Sequence, residues 1–427
     1  MAITKELIKE IEDGILNSAF ADIYKDPEMA AKQKERYCFA IKRFESIYGE
    51  KDVQIFSAPG RSEVMGNHTD HQRGEILAAG INLDAIAVVH KTDSNVIKMV
   101  SGTYPKMRVD ISNLDSKKSK SGKSEALIEG VCKALNDRGY TIGGFDAYVT
   151  SDVVIGAGLS SSAAFETLVG TIISWLFNES RIKDTEIAMA GKFAENVYFG
   201  KPCGLMDQMA CSLGNLVHVD FRNTENPFSE KIMYDLSEAG YSLCITDTKG
   251  SHANLTDEYA AIPKEMKEVA SFFGKEVLLD VSMEDLINNA AKIRSGYSDR
   301  AFLRAIHFVS ENERVKKGVI ALKNNDTKEF LRLVRESGRS SFEYLQNVYT
   351  SGDVAHQSLS VALALSDMIL DKEDEAFRVH GGGFAGTIQA FVKNENVPGY
   401  KEKMEAVFGD DSCHVLKIRK YGGIKVI

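Results

Sequence analysis

A glycine-rich segment that runs directly into a helical pattern is the feature that most restricts how this chain folds. Residues 156–164 read Gly-Ala-Gly-Leu-Ser-Ser-Ser-Ala-Ala, and the apolar spacing beyond them predicts a helix over residues 161–177. A helix N-terminus carries unpaired N–H groups and partial positive charge, and glycines let a bulky anion approach the backbone. The sequence therefore predicts a phosphate-binding loop formed by Gly156, Ala157, Gly158, Leu159, Ser160, Ser161 and Ser162.

The same segment is open to two other interpretations. It begins Gly-x-Gly like a dinucleotide-binding turn, but Ser161 stands at the third glycine position and no acidic residue follows a strand about 20 residues on. A purely structural turn before a buried helix is also compatible with the glycines. The chain contains no Gly-x₄-Gly-Lys-Ser/Thr sequence, which excludes a Walker-type nucleotide site.

The length and the order of patterns predict a two-domain protein. A chain of 427 residues is longer than one ordinary core requires. Strand patterns that precede helix patterns, without a regular βαβ repeat, favour an α+β fold. We expect a helical extension over residues 1–50, a first domain over 51–225 and a second over 226–427.

Periodicity also predicts the main elements. Helical spacing extends over residues 3–48, 185–198 and most of 259–370. The predicted strands are 53–58, 84–90, 96–101, 107–111, 144–150, 215–221, 241–246, 377–380 and 387–392.

Composition excludes several classes of protein. The net charge of −9 argues against a nucleic-acid partner, because a polyanion requires a basic surface. No apolar run approaches the roughly 18 residues of a membrane span, and no export signal is recognised, so we expect a cytoplasmic protein, either a monomer or a weak dimer. Six scattered cysteines without a CxxC pair predict reduced, mostly buried thiols.

A second segment carries charged and polar groups suited to a sugar. It reads Ala58-Pro-Gly-Arg61 and then Gly66-Asn-His-Thr-Asp70-His71. Arg61 could stabilise an alkoxide or a transferring phosphoryl group, and His68 and Asp70 are typical around hydroxyls. The density of glycine, proline and asparagine is equally compatible with a tight surface turn.

Two acidic residues complete a possible reaction centre. Helices 161–177 and 185–198, joined by a short turn, should lie antiparallel and bring Glu195 near the level of Ser162, where a hydroxyl and a carboxylate could share Mg²⁺. Beyond the second helix, Asp207 could accept a proton from an attacking hydroxyl, and Arg61 would hold it ionised.

A third glycine-rich segment, His380-Gly-Gly-Gly-Phe-Ala-Gly-Thr387, lies between two predicted strands. It is typical of a loop that closes backbone against a ligand or against the first domain. A bulged hairpin is the alternative.

In this order and spacing, the three segments resemble the motifs of the galactokinase, homoserine kinase, mevalonate kinase and phosphomevalonate kinase superfamily, the GHMP kinases. The second segment resembles the sugar-binding stretch of galactokinases, and the runs Cys203–Gln208 and Arg304–Arg314 are also galactokinase-like. The resemblance implies a ribosomal-protein-S5-like N-terminal domain and a ferredoxin-like C-terminal domain. ATP and a sugar would bind in the cleft between them.

The resemblance also implies residue roles. Asp207 would be the catalytic base with Arg61 as its electrostatic partner, and Ser162 and Glu195 would hold Mg²⁺. Residues 156–162 would surround the phosphates. The implied sugar contacts are Arg61, Asn67, His68, Asp70, Gly204, Asp207 and Tyr259.

Departures from the pattern leave the acceptor open. Asn67 stands where galactokinases carry a glutamate that holds the C6 hydroxyl, and its amide could donate a hydrogen bond to a carboxylate at C6. The arginine pair that usually follows the tyrosine equivalent to Tyr259 is absent. The resemblance implies an ATP- and Mg²⁺-dependent sugar 1-kinase that converts D-galactose to α-D-galactose 1-phosphate, and D-galacturonate is the alternative acceptor. A non-catalytic sugar sensor is less favoured, because Ser160–Ala164 is complete.

Overall fold

The computed structural model describes residues 2–102, 104–114, 122–154, 156, 158–251 and 255–427. Ala157 of the predicted phosphate loop lies outside these residues. The helices are α1 (Thr4–Glu12), α2 (Asn17–Tyr24), α3 (Pro27–Tyr48), α4 (Ser124–Asp137), α5 (Ser161–Phe177), α6 (Asp184–Phe193), α7 (Met206–Leu213), α8 (Thr256–Phe272), α9 (Met283–Gly296), α10 (Asp299–Lys323), α11 (Thr327–Ser340), α12 (Ser358–Ile369) and α13 (Val397–Phe408).

The strands form two separate sheets. They are β1 (Ala2–Ile3), β2 (Asp52–Met65), β3 (Glu75–Lys91), β4 (Val96–Ser101), β5 (Met107–Asp110), β6 (Phe145–Ser151), β7 (Leu216–Asp220), β8 (Phe228–Ile232), β9 (Tyr241–Asp247), β10 (Ala376–His380), β11 (Thr387–Lys393), β12 (Cys413–Leu416) and β13 (Ile424–Lys425). The first sheet has the order β1-β2-β3-β6-β4-β5, with β13 on β2 and with β7, which also pairs with β8, on β3. The second has the order β10-β11-β9-β12. Mixed helices and sheets confirm the α+β prediction.

The first sheet is covered by helices on both faces. Because successive side chains of a strand point to opposite faces, Ile86 and Val88 of β3 pack with α1–α3, whereas Ala87 and Val89 pack with α4–α6. Burial of both faces explains why β3 is almost continuously apolar. Packing on both faces holds β3 and its neighbour β2 in place, and it thereby positions the side chains of β2.

A buried ion pair joins the N-terminal helices, the first sheet and the C-terminal segment. The Asp84 carboxylate of β3 accepts hydrogen bonds from Arg36 of α3 at 2.6 Å, from Tyr24 of α2 at 2.8 Å and from Arg419 at 3.0 Å. Asp84 and Arg419 have no exposed side-chain surface. Burial raises the pKa of Asp84, but the charges of Arg36 and Arg419 outweigh it and hold that pKa below its usual value.

The second sheet is antiparallel throughout its described pairs. One face packs with α12 and α13, and the other lies against α10, α11 and the first domain. Strands β10 and β11 are joined by the third glycine-rich segment. That connection lies at the edge of the second sheet that meets β2 of the first.

The structure differs from the predicted elements at several points, among them that β3 begins at Glu75 and that β12 and β13 were not predicted. Two further differences concern the extent of β2 and the predicted boundary after residue 225. Strand β2 does not end at Ala58: it continues through Pro59 and Gly60 to Met65, with a register shift that accommodates the proline. Strand β8 lies beyond the predicted boundary after residue 225, yet it pairs with β7 of the first sheet. Pairing with a neighbouring strand determines the extent of β2 and the place of β8 in the first sheet, and a local sequence pattern does not encode such pairing.

Two compositional expectations can be compared with the structure. All six cysteines are free thiols, and five of them are buried. Among the helices of the described residues, none combines the length and the apolar character needed to cross a bilayer.

Replacing Asp84 by alanine should lower the free energy of unfolding by about 3–5 kcal/mol, because two buried guanidinium groups lose their shared carboxylate. Urea unfolding of the full chain measures the loss. The matched control is Asp152→Ala, since Asp152 contacts the same Arg36 at 3.3 Å but is 23% exposed. Its cost should be about 1 kcal/mol or less. Equal losses in the two variants would contradict the assignment.

Candidate active site

An arginine–aspartate pair lies at the centre of the site. Arg61 of β2 and Asp207 in the first turn of α7 approach closely, with Nε and Nη2 of Arg61 each 2.7 Å from Asp207 Oδ1. The Arg61 side chain is 7% exposed and that of Asp207 is 32% exposed. Burial raises the pKa of Asp207, but the charge and hydrogen bonds of Arg61 and a hydrogen bond from Ser160 outweigh it and lower that pKa. Asp207 therefore presents an ionised and partly exposed carboxylate.

The segment before α5 leaves a helix N-terminus open. Ser160 is the N-cap residue and has a left-handed conformation, with φ of 56°. Its hydroxyl donates to Asp207 Oδ2 and makes no capping bond to the helix backbone. The first N–H groups of α5 therefore lack the side-chain partner that an N-cap serine usually supplies. Gly156 and Gly158 are exposed in front of this end, and Leu159 is buried behind it.

The phosphate loop is fastened to β2. The backbone N–H of Arg61 donates to the carbonyl oxygen of Leu159 at 3.1 Å, and Nη1 of Arg61 donates to that of Gly158. A Cβ at Gly60 would lie 2.8 Å from the same Leu159 oxygen, so only glycine allows this approach. The loop and the arginine are thus held in one rigid unit.

Ser162 and Glu195 lie side by side. The Ser162 hydroxyl donates to Glu195 Oε1 at 3.2 Å, and Lys201 Nζ lies 3.1 Å from the same oxygen. The second oxygen, Oε2, accepts from Gln208 at 2.9 Å. Glu195 belongs to a π-helical turn, Ala194–Phe199, that directly continues α6, where the sequence predicted a continuous helix. Such turns re-aim side chains and are frequent at functional sites.

These two residues fit a magnesium ion. A hydroxyl and one carboxylate match the oxygen ligands that Mg²⁺ prefers, because this ion usually takes few protein groups and completes its shell with water and phosphate oxygens. The neighbouring Lys201 ammonium already places a positive charge on Glu195 Oε1. Within the described residues, no group of three or more His, Cys, Asp or Glu side chains could hold a metal ion.

The predicted sugar-binding residues extend from the Arg61–Asp207 pair toward α8. A Cβ at Gly204 would overlap the Asp70 carboxylate, so a larger residue at position 204 would displace that side chain. The His68 ring lies 5.7 Å from the ring of His71, and its Nε2 is 3.1 Å from the carbonyl oxygen of Gly382. Burial, followed by the charge of His71, lowers the pKa of His68 to about 3, so His68 is neutral.

Tyr259 of α8 reaches the same place from the second domain. Its hydroxyl donates to the carbonyl oxygen of Gly383 at 2.7 Å, and its ring packs edge-to-face on Phe384. Burial raises the pKa of Tyr259 to about 12. A Cβ at Gly382 would lie 2.9 Å from the Tyr259 ring, so this glycine permits the contact.

Asn67 lies in the interface between the domains and is completely buried. Its Nδ2 donates both hydrogens, to Glu63 Oε1 at 2.9 Å and to the Gly381 carbonyl oxygen at 2.7 Å. Its Oδ1 accepts from Asn347 Nδ2 at 2.7 Å. The Asn67 amide therefore has no free N–H group with which to bind a carboxylate at C6 of a sugar.

No role was assigned from the sequence to four residues of this region, Glu63, Asn347, Arg378 and His380. Glu63 orients Asn67 and pairs with the buried Arg378 at 2.9 Å. Asn347 fixes the Asn67 amide and has no motif around it. His380 accepts the backbone N–H of Glu63 at Nε2, so its Nδ1 carries the proton toward Thr387 at 2.9 Å. Only His380 could have been found, since it opens the third glycine-rich segment.

Comparison with known proteins first defines the class. The solved structure of Lactococcus lactis galactokinase with galactose has a TM-score of 0.76 at 22% identity and covers 90% of this chain and 98% of its own. Methanococcus jannaschii mevalonate kinase has a TM-score of 0.60 at 14% identity, over 86% and 98% of the two chains. Residues 126–215 match the N-terminal domain of GHMP kinases. The predicted GHMP kinase fold is confirmed.

Sequence comparison then narrows the class to one family. Residues 42–91 match the galactokinase galactose-binding signature. A galactokinase of Glaesserella parasuis serovar 5 (strain SH0165) is 32% identical over 370 residues, which cover 84% of this chain and 90% of that relative. The chain belongs to the galactokinase family, as its motifs suggested, and is a GHMP-type kinase.

Replacing Arg61 by methionine should raise the pKa of Asp207 above its usual value of 3.8, because burial then acts without the opposing guanidinium charge. A carboxyl ¹³C NMR titration of the labelled protein measures this pKa. Arg73→Met removes an exposed arginine that pairs with Glu276 at 2.7 Å, and it should leave Asp207 unchanged. An Asp207 pKa that stays low without Arg61 would show that another group ionises it.

Proposed function

We propose that this protein is an ATP-dependent galactose 1-kinase that converts D-galactose to α-D-galactose 1-phosphate. The observation that carries the proposal is the ionised Asp207, paired with Arg61 and positioned beside the uncapped N-terminus of α5. A base for a hydroxyl and a site for phosphate thus adjoin one another. The galactose-binding signature matched by residues 42–91 supports a galactose acceptor.

The reaction proposed for this geometry is a direct in-line transfer. The anomeric oxygen forms a bond to the γ-phosphorus of ATP while the bond from that phosphorus to the β–γ bridging oxygen breaks, and ADP leaves. The hydroxyl proton passes to Asp207. Oδ1 is held by Arg61, and Oδ2 accepts from Ser160 but has a second lone pair for the substrate hydroxyl.

Arg61 has two roles in this proposal. Its charge keeps Asp207 ionised before the reaction, and it lies beside the oxygen that loses the proton, where it stabilises the developing negative charge. The neutral form of His68 suits a contact with sugar hydroxyls, because an uncharged ring can both donate and accept.

The open end of α5 provides the phosphate site. Unpaired N–H groups and the helix dipole favour the negative charge of a nucleotide there, and Ser161 and Ser162 add hydroxyl donors. Ser162 and Glu195 would hold a magnesium ion, which supplies charge neutralisation for the phosphate oxygens. Lys201 is 63% exposed and can move aside from Glu195 without losing buried contacts.

The contacts of Asn67 favour galactose over D-galacturonate. Both amide hydrogens are donated to Glu63 and Gly381, and the nearby Glu63 carboxylate would repel a second carboxylate. A neutral C6 hydroxyl carries no such penalty. Asn67 is therefore proposed to position the sugar-binding segment and not to bind the charge of an acid.

Release of ADP with Mg·ATP tests the proposal against galactose, galacturonate, glucose and N-acetylgalactosamine, compared by kcat/KM. We expect the highest value for galactose. Asp207→Ala should reduce turnover on the order of a hundredfold or more while nucleotide affinity stays close to that of the parent. The control is Asp184→Ala, which removes an aspartate at the N-terminus of α6 that has no proposed role in binding or catalysis.

Three results would contradict parts of this proposal. A preference for galacturonate would reassign the acceptor, and binding of ATP and galactose without ADP release would identify a sensor. Activity of Asp207→Ala within about tenfold of the parent would remove Asp207 from the role of base.

Replacing Glu195 by glutamine should raise the Mg²⁺ concentration needed for half-maximal activity by about tenfold or more, because the metal loses its anionic ligand. A titration of initial rate against free Mg²⁺ at saturating ATP measures the change. Glu186→Gln lies on α6 and contacts only Tyr140 and the helix start in the described residues, so it should leave the requirement unchanged. An unchanged requirement in Glu195→Gln would exclude Glu195 as a ligand.

A further inference from the structure

A cavity of about 350 Å³ lies in the second domain between α11, α12 and β10. None of the residues assigned above to nucleotide, metal or sugar lines it. Its volume falls in the range of sites for small metabolites. The lining residues are Arg332, Arg335, Glu336, Gly338, Arg339, Phe342, Glu343, Leu363, Asp367, Leu370, Asp371, Lys372, Phe377 and Arg378.

Two arginines one helical turn apart face this cavity without a carboxylate partner. Arg335 donates to the carbonyl oxygens of Glu373 and Glu375. The Arg339 side chain makes no hydrogen bond or ion pair with any described residue. Burial and then the charge of Arg339 lower the pKa of Arg335, which reflects two like charges held together. A bound anion would relieve this repulsion.

Most of the acidic side chains around the cavity are already engaged. Glu336 pairs with Arg332, and Asp367 pairs with Lys372. The Asp371 carboxylate accepts the backbone N–H groups of Glu373 and Asp374. None of these acids forms an ion pair with Arg335 or Arg339, and the lining carries five cationic side chains against four anionic ones.

A third guanidinium forms the inner wall. Arg378 of β10 is completely buried and donates to Glu63 at 2.9 Å and to the Val64 carbonyl oxygen at 3.1 Å. Its Nε is buried and has no hydrogen-bond partner among the described residues. The Arg378 guanidinium therefore closes the inner end of the cavity and carries a donor that no described residue satisfies.

The rest of the cavity lining is suited to the carbon skeleton of a small organic molecule. Leu363, Leu370 and Phe377 provide apolar wall, and the Glu343 carboxylate, which has no ion pair in the part of the chain described, can accept hydroxyl hydrogens. The cavity therefore combines a cationic end with apolar and hydroxyl-accepting surface. This combination matches a small molecule that carries one phosphate and several hydroxyl groups.

We propose that this cavity binds the phosphomonoester of a small polyol, with its phosphate between Arg335 and Arg339. Arg378 forms both the inner wall of the cavity and the ion pair with Glu63, which orients Asn67 in the sugar-binding segment. Occupancy of the cavity is thereby linked by direct contacts to the active site. The proposal does not depend on the identity of the sugar that the enzyme phosphorylates.

Calorimetric titration of the full-length protein with sn-glycerol 3-phosphate tests the site, with glycerol as the uncharged control. Arg339→Gln should weaken binding on the order of tenfold or more, because one charge-assisted contact to the phosphate is lost. Because the Arg339 side chain is exposed and has no hydrogen bond or ion pair to a described residue, this variant should fold normally. Lys264→Gln removes the same charge from an exposed position of α8 that does not line the cavity, and it should leave affinity within about twofold.

The outcomes separate this site from the phosphate loop. Selective loss in Arg339→Gln and in a second variant, Arg335→Gln, supports the proposal. Equal affinity of the parent and Arg339→Gln would place the probe elsewhere and overturn it, as would failure of the parent to bind at millimolar concentration. Binding is read without turnover, so the result stands apart from the test of kinase activity.

Discussion

The arrangement of the site depends on the hydrogen bonds that Arg61 makes. Arg61 binds Asp207, its Nη1 donates to the Gly158 carbonyl oxygen, and its backbone N–H donates to Leu159. Strand β2, the phosphate loop and α7 therefore meet at one residue. Burying an arginine is costly unless its charge and donors are compensated, and here the bonds that compensate Arg61 also fix the position of Asp207 relative to residues 158–159.

A second set of buried polar contacts joins strand β2 and the segment that follows it to the second sheet. Asn67, Glu63 and Arg378 form a chain of hydrogen bonds from the first domain into the second sheet. Helix α10 adds His307, whose Nε2 donates to the Asn67 carbonyl oxygen at 3.0 Å. Burial lowers the pKa of His307 to about 4, so this contact involves a neutral ring over the physiological range. The loss of one member from a buried polar network destabilises the fold, because its partners are left without hydrogen bonds. Such networks therefore favour one particular packing arrangement.

The sequence predicted the features that depend on interactions between residues close together in the chain. Helix α5 was predicted over residues 161–177 and occupies Ser161–Phe177, because its apolar spacing and the glycine turn before it are local signals. The proximity of Ser162 and Glu195 also followed from two antiparallel helices. The π-helical turn that carries Glu195 did not, since it depends on how α6 packs against its neighbours.

Contacts between distant segments account for what the sequence did not indicate. Asn67 was interpreted from its chemistry as a free donor, whereas the structure commits its amide to Glu63, Gly381 and Asn347. Asn347 lies 280 positions along the chain from Asn67, and no local pattern connects them. Likewise, the proline and glycine after Ala58 favoured a turn, but pairing with β3 keeps this segment extended. Pairing energy outweighed local preference in that case.

Strand β13 gives the fold a property that concerns its synthesis. Residues 424–425 pair with β2, and Arg419 completes the buried cluster around Asp84, so the first sheet contains both early and late parts of the chain. The second domain, in contrast, is built from residues that lie between them. On the ribosome, the early strands must therefore wait without their last partner while the intervening domain emerges and becomes able to fold. The first sheet can therefore be completed only after the strands of the second sheet have been synthesised.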